Sequence, residues 1–302
     1  MLSSVEVQTP NRLPLWFRKK LAHGHQAEET DQRIKELGLN TICRSGKCPN
    51  RNECYSQKTA SFMILGDRCT RNCHYCSVAP GKPLPPDPKE PHNLAQAVRW
   101  MGLEHVVITS VTRDDLPDEG VQHFKEVIQT LRSEIPSIII EILTPDFRRN
   151  QTAAIEVIST LDFDIFNHNI ETVRAQHARV RPQGGYDLSL ALIKKMKEAK
   201  PSIITKSGAM LGLGETKDQI QEMLSDLRSA DCQMLTLGQY LRPEPQATPV
   251  VRYASPEEFE EWKSVAYSLG FDLVESAPFV RSSYHAADSF TKLKTLLASS
   301  SV

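Results

Sequence analysis

From Ser61 onward, short apolar runs alternate with longer segments whose apolar residues recur at helical spacing. The runs Ser61–Leu65, His105–Ser110, Ile138–Leu143, Phe163–Asn167, Ile203–Met210 and Met234–Tyr240 are rich in Val, Ile and Phe and predict strands. Several are nearly continuous in hydrophobicity, as suits strands covered on both faces of a parallel sheet. Helical patterns fall between them, at Leu94–Met101, Gly120–Glu134, Thr152–Thr160, Leu188–Ala199 and Thr216–Ala230. Phe124, Val127, Ile128 and Leu131 mark the buried face of one of these helices. Such alternation leaves two architectures, an open doubly wound sheet or a β/α barrel. Six units are too few for the eight of a closed barrel, and no G-x-G-x-x-G follows the first strand. The expected fold is α/β, a partial (β/α)6 TIM-type barrel whose lateral opening something else covers.

The flanks read differently. A helical stretch near Glu28–Leu37 leads into a cysteine-bearing loop with Arg44, Gly46, Pro49 and Asn50. Six prolines between Pro80 and Pro91 predict a stiff surface connection. Ser255 as N-cap, Pro256 at the first helical position and Glu257 and Glu258 in the first turn predict a helix over Ser255–Leu269. The last residues, Ala298–Val302, are expected to fray. The expected division is an N-terminal extension over 1–60, a barrel over 61–270 and a C-terminal helical extension over 271–302.

Composition narrows the class. Against 36 Lys+Arg stand 37 Asp+Glu, so a net charge of −1 gives no global field for gripping nucleic acid. A hydrophobic fraction of 40% with 24% charged residues argues against disorder. No apolar run approaches the roughly 18 residues that span a bilayer, so no membrane partner is expected. Residues Met1 to Pro14 lack the basic-then-apolar order of a secretory signal, and the expected compartment is cytoplasmic. In that compartment the 7 cysteines are not expected to pair as structural disulfides.

The cysteines are lopsided. Cys43-x4-Cys48-x5-Cys54 and Cys69-x3-Cys73-x2-Cys76 crowd one stretch, and Cys232, expected at a helix end as a small apolar residue, stands alone. Thiolates are soft ligands for iron–sulfur clusters, zinc or copper(I). Structural zinc closes with four ligands, and neither set has that symmetry, although a mixed site with His74 or His92 is conceivable. Three thiolates in a short loop can instead hold three irons of a cubane and leave the fourth open. The second set also follows the first predicted strand, at the barrel end where active sites are built.

The run Cys69-Thr70-Arg71-Asn72-Cys73-His74-Tyr75-Cys76 resembles the cluster loop of the radical S-adenosylmethionine superfamily, including the aromatic Tyr75 before the last cysteine. The first cysteine set is similar to the auxiliary-cluster motif of the lipoyl synthase family. Further stretches look like that family in order: Val111 to Asp118, Leu143-Thr144-Pro145-Asp146-Phe147, Asn167 to Val173, Thr205-Lys206-Ser207-Gly208 with Gly212 to Thr216, Gly238 to Leu241, and Arg281-Ser282-Ser283-Tyr284-His285-Ala286. The region Pro245–Val250 matches least well.

The resemblance implies two [4Fe–4S] clusters and S-adenosylmethionine. It implies sulfur insertion at C6 and C8 of an octanoyl chain on a carrier-protein lysine, with the auxiliary cluster as sulfur source. Cys69, Cys73 and Cys76 would hold the radical cluster, and Cys43, Cys48 and Cys54 the auxiliary one. The family closes the auxiliary site with the serine before the tyrosine, here Ser283, an oxygen ligand suited to being displaced. Adjacent residues in an extended segment point to opposite sides, so only one of Ser282 and Ser283 reaches the iron. Asn169 and Glu171 fall on the cofactor by their place in the motif, with Arg181 a candidate for its carboxylate. Implied partners are an octanoylated carrier domain (the glycine cleavage H protein or a 2-oxoacid dehydrogenase E2), an electron donor such as flavodoxin or ferredoxin, and an iron–sulfur carrier.

Polar residues at the predicted strand exits are Thr109, Ser110, Glu141, Asn167, Asn169, Lys206, Ser207, Gln239 and Tyr240. Lys206 reads equally as a structural neutraliser of a carboxylate, and His74, His105 and His168 as packed or exposed bystanders. The basic runs Arg18-Lys19-Lys20, Arg148-Arg149 and Lys194-Lys195-Lys197 suit either an acidic carrier or a solvated face. Two other classes remain for comparison. An RNA-thiomethylating enzyme would need an extra basic domain that this length and charge do not supply. A zinc module or electron carrier would not need so large a barrel.

Overall fold

The structure is a computed structural model, and it describes residues 13–17 and 25–283 together with Ala286 and Thr291. The basic run at 18–20, Tyr284 and His285, the tail 298–302 and most of the expected C-terminal helical extension lie outside these residues.

A 3-10 turn, Leu15–Phe17, precedes three helices, α1 (Gln26–Glu36), α2 (Ile42–Ser45) and α3 (Arg51–Ser56). Then come β1 (Ser61–Ile64) and the two short strands β2 (Arg68–Cys69) and β3 (Ala79–Pro80), which pair with each other. Strand–helix alternation follows with α4 (Glu90–Met101), β4 (His105–Ser110), α5 (Val121–Glu134), β5 (Ile139–Leu143), α6 (Gln151–Ile158) and β6 (Ile165–Asn167). It continues through α7 (Arg174–Val180), α8 (Tyr186–Ala199), β7 (Ile204–Leu211), α9 (Lys217–Ser229), β8 (Met234–Gln239), α10 (Pro256–Ser268) and β9 (Leu273–Ser276).

The main sheet runs β1-β4-β5-β6-β7-β8-β9, and every neighbouring pair is parallel. All six predicted strands are present. The sheet gains a seventh, β9, beyond residue 270. Helix α4 starts at Glu90, four residues before the predicted Leu94, because Pro91 suits a first helical turn where its missing N–H is no loss. Ser255 caps α10 by accepting from Glu258 N, and Thr216 with Gln219 forms a capping box on α9.

Alternation along the strands divides the side chains into two layers. Outward residues Val106, Ile108, Ile140, Ile142 and Phe166 pack with Leu94, Val98, Phe124, Val127 and Leu131 of the covering helices. Leu235, Leu237 and Val274 pack likewise with Ile220, Leu224, Leu227 and Phe259. Each such burial is worth about 1.5–3 kcal/mol against exposure. Met63, Thr109, Gly208 and Thr236, from strands far apart in the sheet, line one cavity, so the sheet is curled around it.

The two sheet edges, β1 and β9, do not pair with each other among the described residues. The N-terminal helices bridge them. Asn40 and Thr41 bind β1, through Met63 N to Asn40 O and an antiparallel Thr41–Phe62 bridge. Asn50 Nδ2 donates to the Phe279 carbonyl at 2.8 Å, and Phe17 stacks edge-on against Phe279 at 5.3 Å. The covering that the sequence demands is thus supplied by residues before β1. No helix among the described residues is long and apolar enough to cross a membrane.

Candidate active site

The cavity has a volume of about 450 Å³ and opens at the C-terminal ends of the strands. Its inward rows are set by strand register. Below the lining, His105, Glu141, Asn167 and Lys206 contact one another and form its floor. Lys206 Nζ lies 2.9 and 3.1 Å from the two Glu141 oxygens, and Asn167 Nδ2 donates to the same carboxylate at 2.7 Å. Burial alone would raise the Glu141 pKa; Lys206 and His105 reverse this and bring it down to about 2. Lys206 is therefore the structural neutraliser, and Glu141 and Asn167 belong to the floor rather than the lining.

The second cysteine set sits on the loop between β1 and α4. Thr70 N and Oγ1 both donate to the Thr112 carbonyl, and His74 N donates to Val180 O, which pins the loop across the barrel mouth. Cys69, Cys73 and Cys76 all line the cavity. Cys69 Sγ accepts from Arg71 N and Thr112 N, and Cys76 Sγ from Val78 N, each at 3.4 Å. Burial pushes the Cys73 thiol up to about 11 and Cys76 to about 12, with neighbouring thiols adding to the rise. Thiolates here call for a compensating cation, and N–H groups aimed at sulfur are the outer support that cluster ligands use.

The first set also reaches the cavity, on a segment that Ser77 Oγ ties to the second by donating to the Ser45 carbonyl. Cys43, on α2, and Cys48 line the cavity, and burial pushes Cys43 up to about 11. Cys54, on α3, is half-buried and outside the lining. Ser283 also lines the cavity, where its Oγ accepts from Ser61 Oγ at 2.6 Å. Ser282 lines it too, so alternation does not separate the two serines. Arg281 joins them, its guanidinium desolvated and facing Cys48. Among the described residues no three His, Cys, Asp or Glu side chains converge on one metal-ion position; the thiols are spread around a chamber. The donor set, soft sulfur from both sets with the hydroxyls of Ser61, Ser282 and Ser283, fits iron–sulfur clusters.

Asn169, Glu171 and Arg181 come together on the cavity wall beside Cys73. Glu171 adopts a left-handed backbone (φ 69°), tied to β7 through Glu171 N to Gly208 O and Met210 N to Glu171 O. Burial raises its pKa, against the pull of Arg181 and hydrogen bonds from Tyr75 and Asn169. Asn169 Oδ1 is buried without a hydrogen-bond partner, an acceptor open to a ligand donor. A Cβ on Gly208 would lie 2.8 Å from that oxygen and 2.7 Å from Thr236 Oγ1, so only glycine leaves this corner free. Arg181 reaches Ser189 Oγ at 3.3 Å and Asp146 at 3.4 Å. A cation, an unpaired acceptor and a carboxylate on one wall fit the carboxylate, ammonium and hydroxyls of S-adenosylmethionine.

Several residues have other duties. His168 is buried, bonded to the Thr144 carbonyl and Ser189, and burial lowers its pKa to about 4. His92 pairs with Glu134 on the surface, away from the thiols, and His74 Nδ1 meets the Arg179 carbonyl. Ser207 braces the backbone at His168 and Ile170, and Gln239 that at Arg252 and Ala254. Thr109, Ser110 and Tyr240 do line the cavity. Cys232 is buried, its thiol on the Met234 carbonyl. Lys195 and Lys197 are engaged with Gln151, Gln233 and Ile203, and Arg148 and Arg149 with loop carbonyls. Sequence reasoning missed Arg71, Asp114 and Asp146 as a buried ion network, although all three lie inside the quoted motifs.

Residues 63–227 match the family model described as the radical SAM superfamily. The chain is 49% identical over 282 residues to the lipoyl synthase of Methylococcus capsulatus, covering 93% of this chain and 88% of that one. It is 47% identical over 275 residues to the lipoyl synthase of Caldanaerobacter subterraneus, covering 91% and 96%. In fold it is similar to the crystal structure of methylornithine synthase, with a TM-score of 0.53 at 12% identity, covering 83% of this chain and 84% of that chain. With the cysteine sets, the curled parallel sheet and these likenesses in hand, the chain belongs to the lipoyl synthase family of the radical SAM superfamily.

Proposed function

We propose that this chain inserts sulfur at C6 and C8 of an octanoyl chain held in amide linkage on a carrier-domain lysine, with S-adenosylmethionine as co-reactant. The observation that carries this reading is that thiols of both sets, Cys43 and Cys48 with Cys69, Cys73 and Cys76, line one cavity together with Asn169, Glu171 and Arg181. Cys69, Cys73 and Cys76 would hold the radical [4Fe–4S] cluster, which when bound supplies the electron that cleaves S-adenosylmethionine to methionine and a 5′-deoxyadenosyl radical. Cys43, Cys48, Cys54 and Ser283 would hold the second cluster, whose sulfide is consumed as substrate.

The chain's own part is to bind, aim and exclude water. Arg181 would take the carboxylate of S-adenosylmethionine, Asn169 Oδ1 an N–H or O–H, and Glu171 a further donor. Met63, Val107, Leu143 and Met210 present an apolar wall to an alkyl chain. An unactivated C–H bond offers no proton for a base, so the reaction draws on radical rather than acid–base chemistry. We assign 1–60 to the auxiliary-cluster extension, 61–270 to the radical barrel and 271–302 to the segment that brings Ser283. The carrier would be a glycine cleavage H protein or a 2-oxoacid dehydrogenase E2, with a flavodoxin or ferredoxin as reductant and an iron–sulfur carrier to rebuild the spent cluster.

The test is anaerobic reconstitution, iron and sulfide analysis, and turnover of an octanoyl-lysine peptide with S-adenosylmethionine and dithionite. About eight irons and a doubly thiolated product are expected, each cubane holding four. Bound zinc with no thiolated product overturns the reading.

A further inference from the structure

One side chain of the radical loop is tied into the barrel wall. Arg71, between Cys69 and Cys73, is buried in the barrel wall, and its guanidinium donates to both oxygens of Asp114 and to Asp146, all at 2.8 Å. Asp146 is fully buried just beyond β5. Its other neighbour is Arg181, at 3.4 Å. One carboxylate thus stands between two guanidiniums, one from the cluster loop and one from the wall beside Asn169 and Glu171.

The two cations are held differently. Arg71 bonds within the range of charge-assisted pairs. Arg181 makes only long bonds, at 3.4 Å to Asp146, 3.3 Å to Ser189 Oγ and 3.4 Å to the Asn169 carbonyl. Asp146 is engaged by Arg71, so Arg181 is buried yet keeps donor capacity for another anion. Ser189 is oriented in turn by His168. The ring Nδ1 faces the Thr144 carbonyl and must donate to it, so Nε2 accepts the Ser189 hydroxyl proton, and the Ser189 lone pairs turn to Arg181. Besides Asp146, the titratable groups facing Arg181 are Tyr75, Glu171, Cys73, His168 and His177.

We propose that Asp146 is a positioning residue: clamped by Arg71, it aims the Arg181 guanidinium at the carboxylate of S-adenosylmethionine and ties that aim to the geometry of the cluster loop. The inference rests on the function proposed above. It makes cofactor recognition and cluster-loop placement one unit, because the loop's own arginine sets the carboxylate that sets the recognising arginine.

The test uses the holoenzyme with both clusters, titrated anaerobically with S-adenosylmethionine and, separately, with its decarboxylated analogue. Wild type should prefer the carboxylate-bearing ligand. Asp146→Asn should weaken S-adenosylmethionine about tenfold or more and leave the analogue within about twofold, with iron content unchanged. Equal weakening of both ligands marks a merely structural residue and overturns the inference, as does no weakening of either. Should Asp146→Asn fail to fold, Ser189→Ala keeps every charge and is expected to cost S-adenosylmethionine, but not the analogue, about threefold. The absence of that selective loss would equally overturn the inference. A wild type that binds no S-adenosylmethionine at all would remove the functional reading and this inference together.

Discussion

The hydroxyl of Ser61, the first residue of β1, donates to Ser283 Oγ at 2.6 Å across 222 residues of chain. One serine begins the strand at one edge of the sheet, and the other follows the strand at the opposite edge. The ring of strands is therefore fastened at this point by two side chains rather than by a backbone ladder. Ser61 also bonds Cys43, so the fastening lies against the first thiol set. Replacing Ser61 by Ala should lower unfolding stability by about 1 kcal/mol, the net worth of one hydrogen bond, as read by urea denaturation. It should also speed chelator-driven iron loss from the first set while sparing the second.

Ser283 is the one oxygen among the proposed ligands. A thiolate there would match iron better and leave it less readily. Ser283→Cys is expected to keep about eight irons and to form lipoyl product about tenfold more slowly, or worse, equivalent to about 1.4 kcal/mol of barrier. Mass spectrometry of the octanoyl peptide reads the outcome, and an unimpaired double insertion would count against Ser283 as a displaceable ligand.

The floor of the cavity is an ion pair. Lys206→Met leaves the Glu141 carboxylate buried without its cation, and should cost about 3–5 kcal/mol in urea denaturation. Pairing it with Glu141→Leu should recover most of that loss, since a well-packed apolar pair is often as stable as a buried ionic one.

The same pair sets a pH dependence. The Glu141 pKa falls from 4.5 to about 2 on folding, so the unfolded chain binds the proton more readily. Its contribution is complete above pH 4.5 and is lost as pH falls toward 2. His168 acts in a higher window, because its pKa drops from 6.5 to about 4 and stability declines as pH falls between those values. Glu141→Gln should flatten the acid limb below pH 4.5 and leave the limb above it unchanged.

Gly208 faces Asn169 Oδ1, an acceptor of the cofactor wall that lacks a hydrogen-bond partner. The methyl of Gly208→Ala would press on the buried oxygens Asn169 Oδ1 and Thr236 Oγ1. A stability loss of about 1–3 kcal/mol is expected, the usual range for an overpacked core. S-adenosylmethionine binding to the reconstituted protein should weaken about tenfold. Retention of full affinity would place the cofactor elsewhere.

The sequence was most legible where a pattern is local. Strands β4 and β5 announce themselves by Val- and Ile-rich runs, and the cap of α10 by Ser255-Pro256-Glu257-Glu258. Strand β9 has only four residues and includes the half-buried Glu275, and α7 has seven residues with only His177 and Val180 buried, so neither carries a periodic signal long enough to read. The cysteine sets were visible because their spacing is short. The Arg71–Asp146–Arg181 arrangement was not, since its members lie 75 and 35 residues apart and meet only when the sheet curls. Lys206 could be assigned a neutralising role, but its partner Glu141, two residues off its register on β5, emerged only from the folded side-chain contacts.

The single bridge that Thr41 lays on Phe62, with Asn40 accepting from Met63, has a bearing on how the molecule meets its own copies. An outermost parallel strand normally presents a bare row of amides and carbonyls that a stranger's strand can extend. Here the chain occupies the first of those positions with its own preceding loop, so self-assembly through that rim is discouraged by the same segment that delivers Cys43.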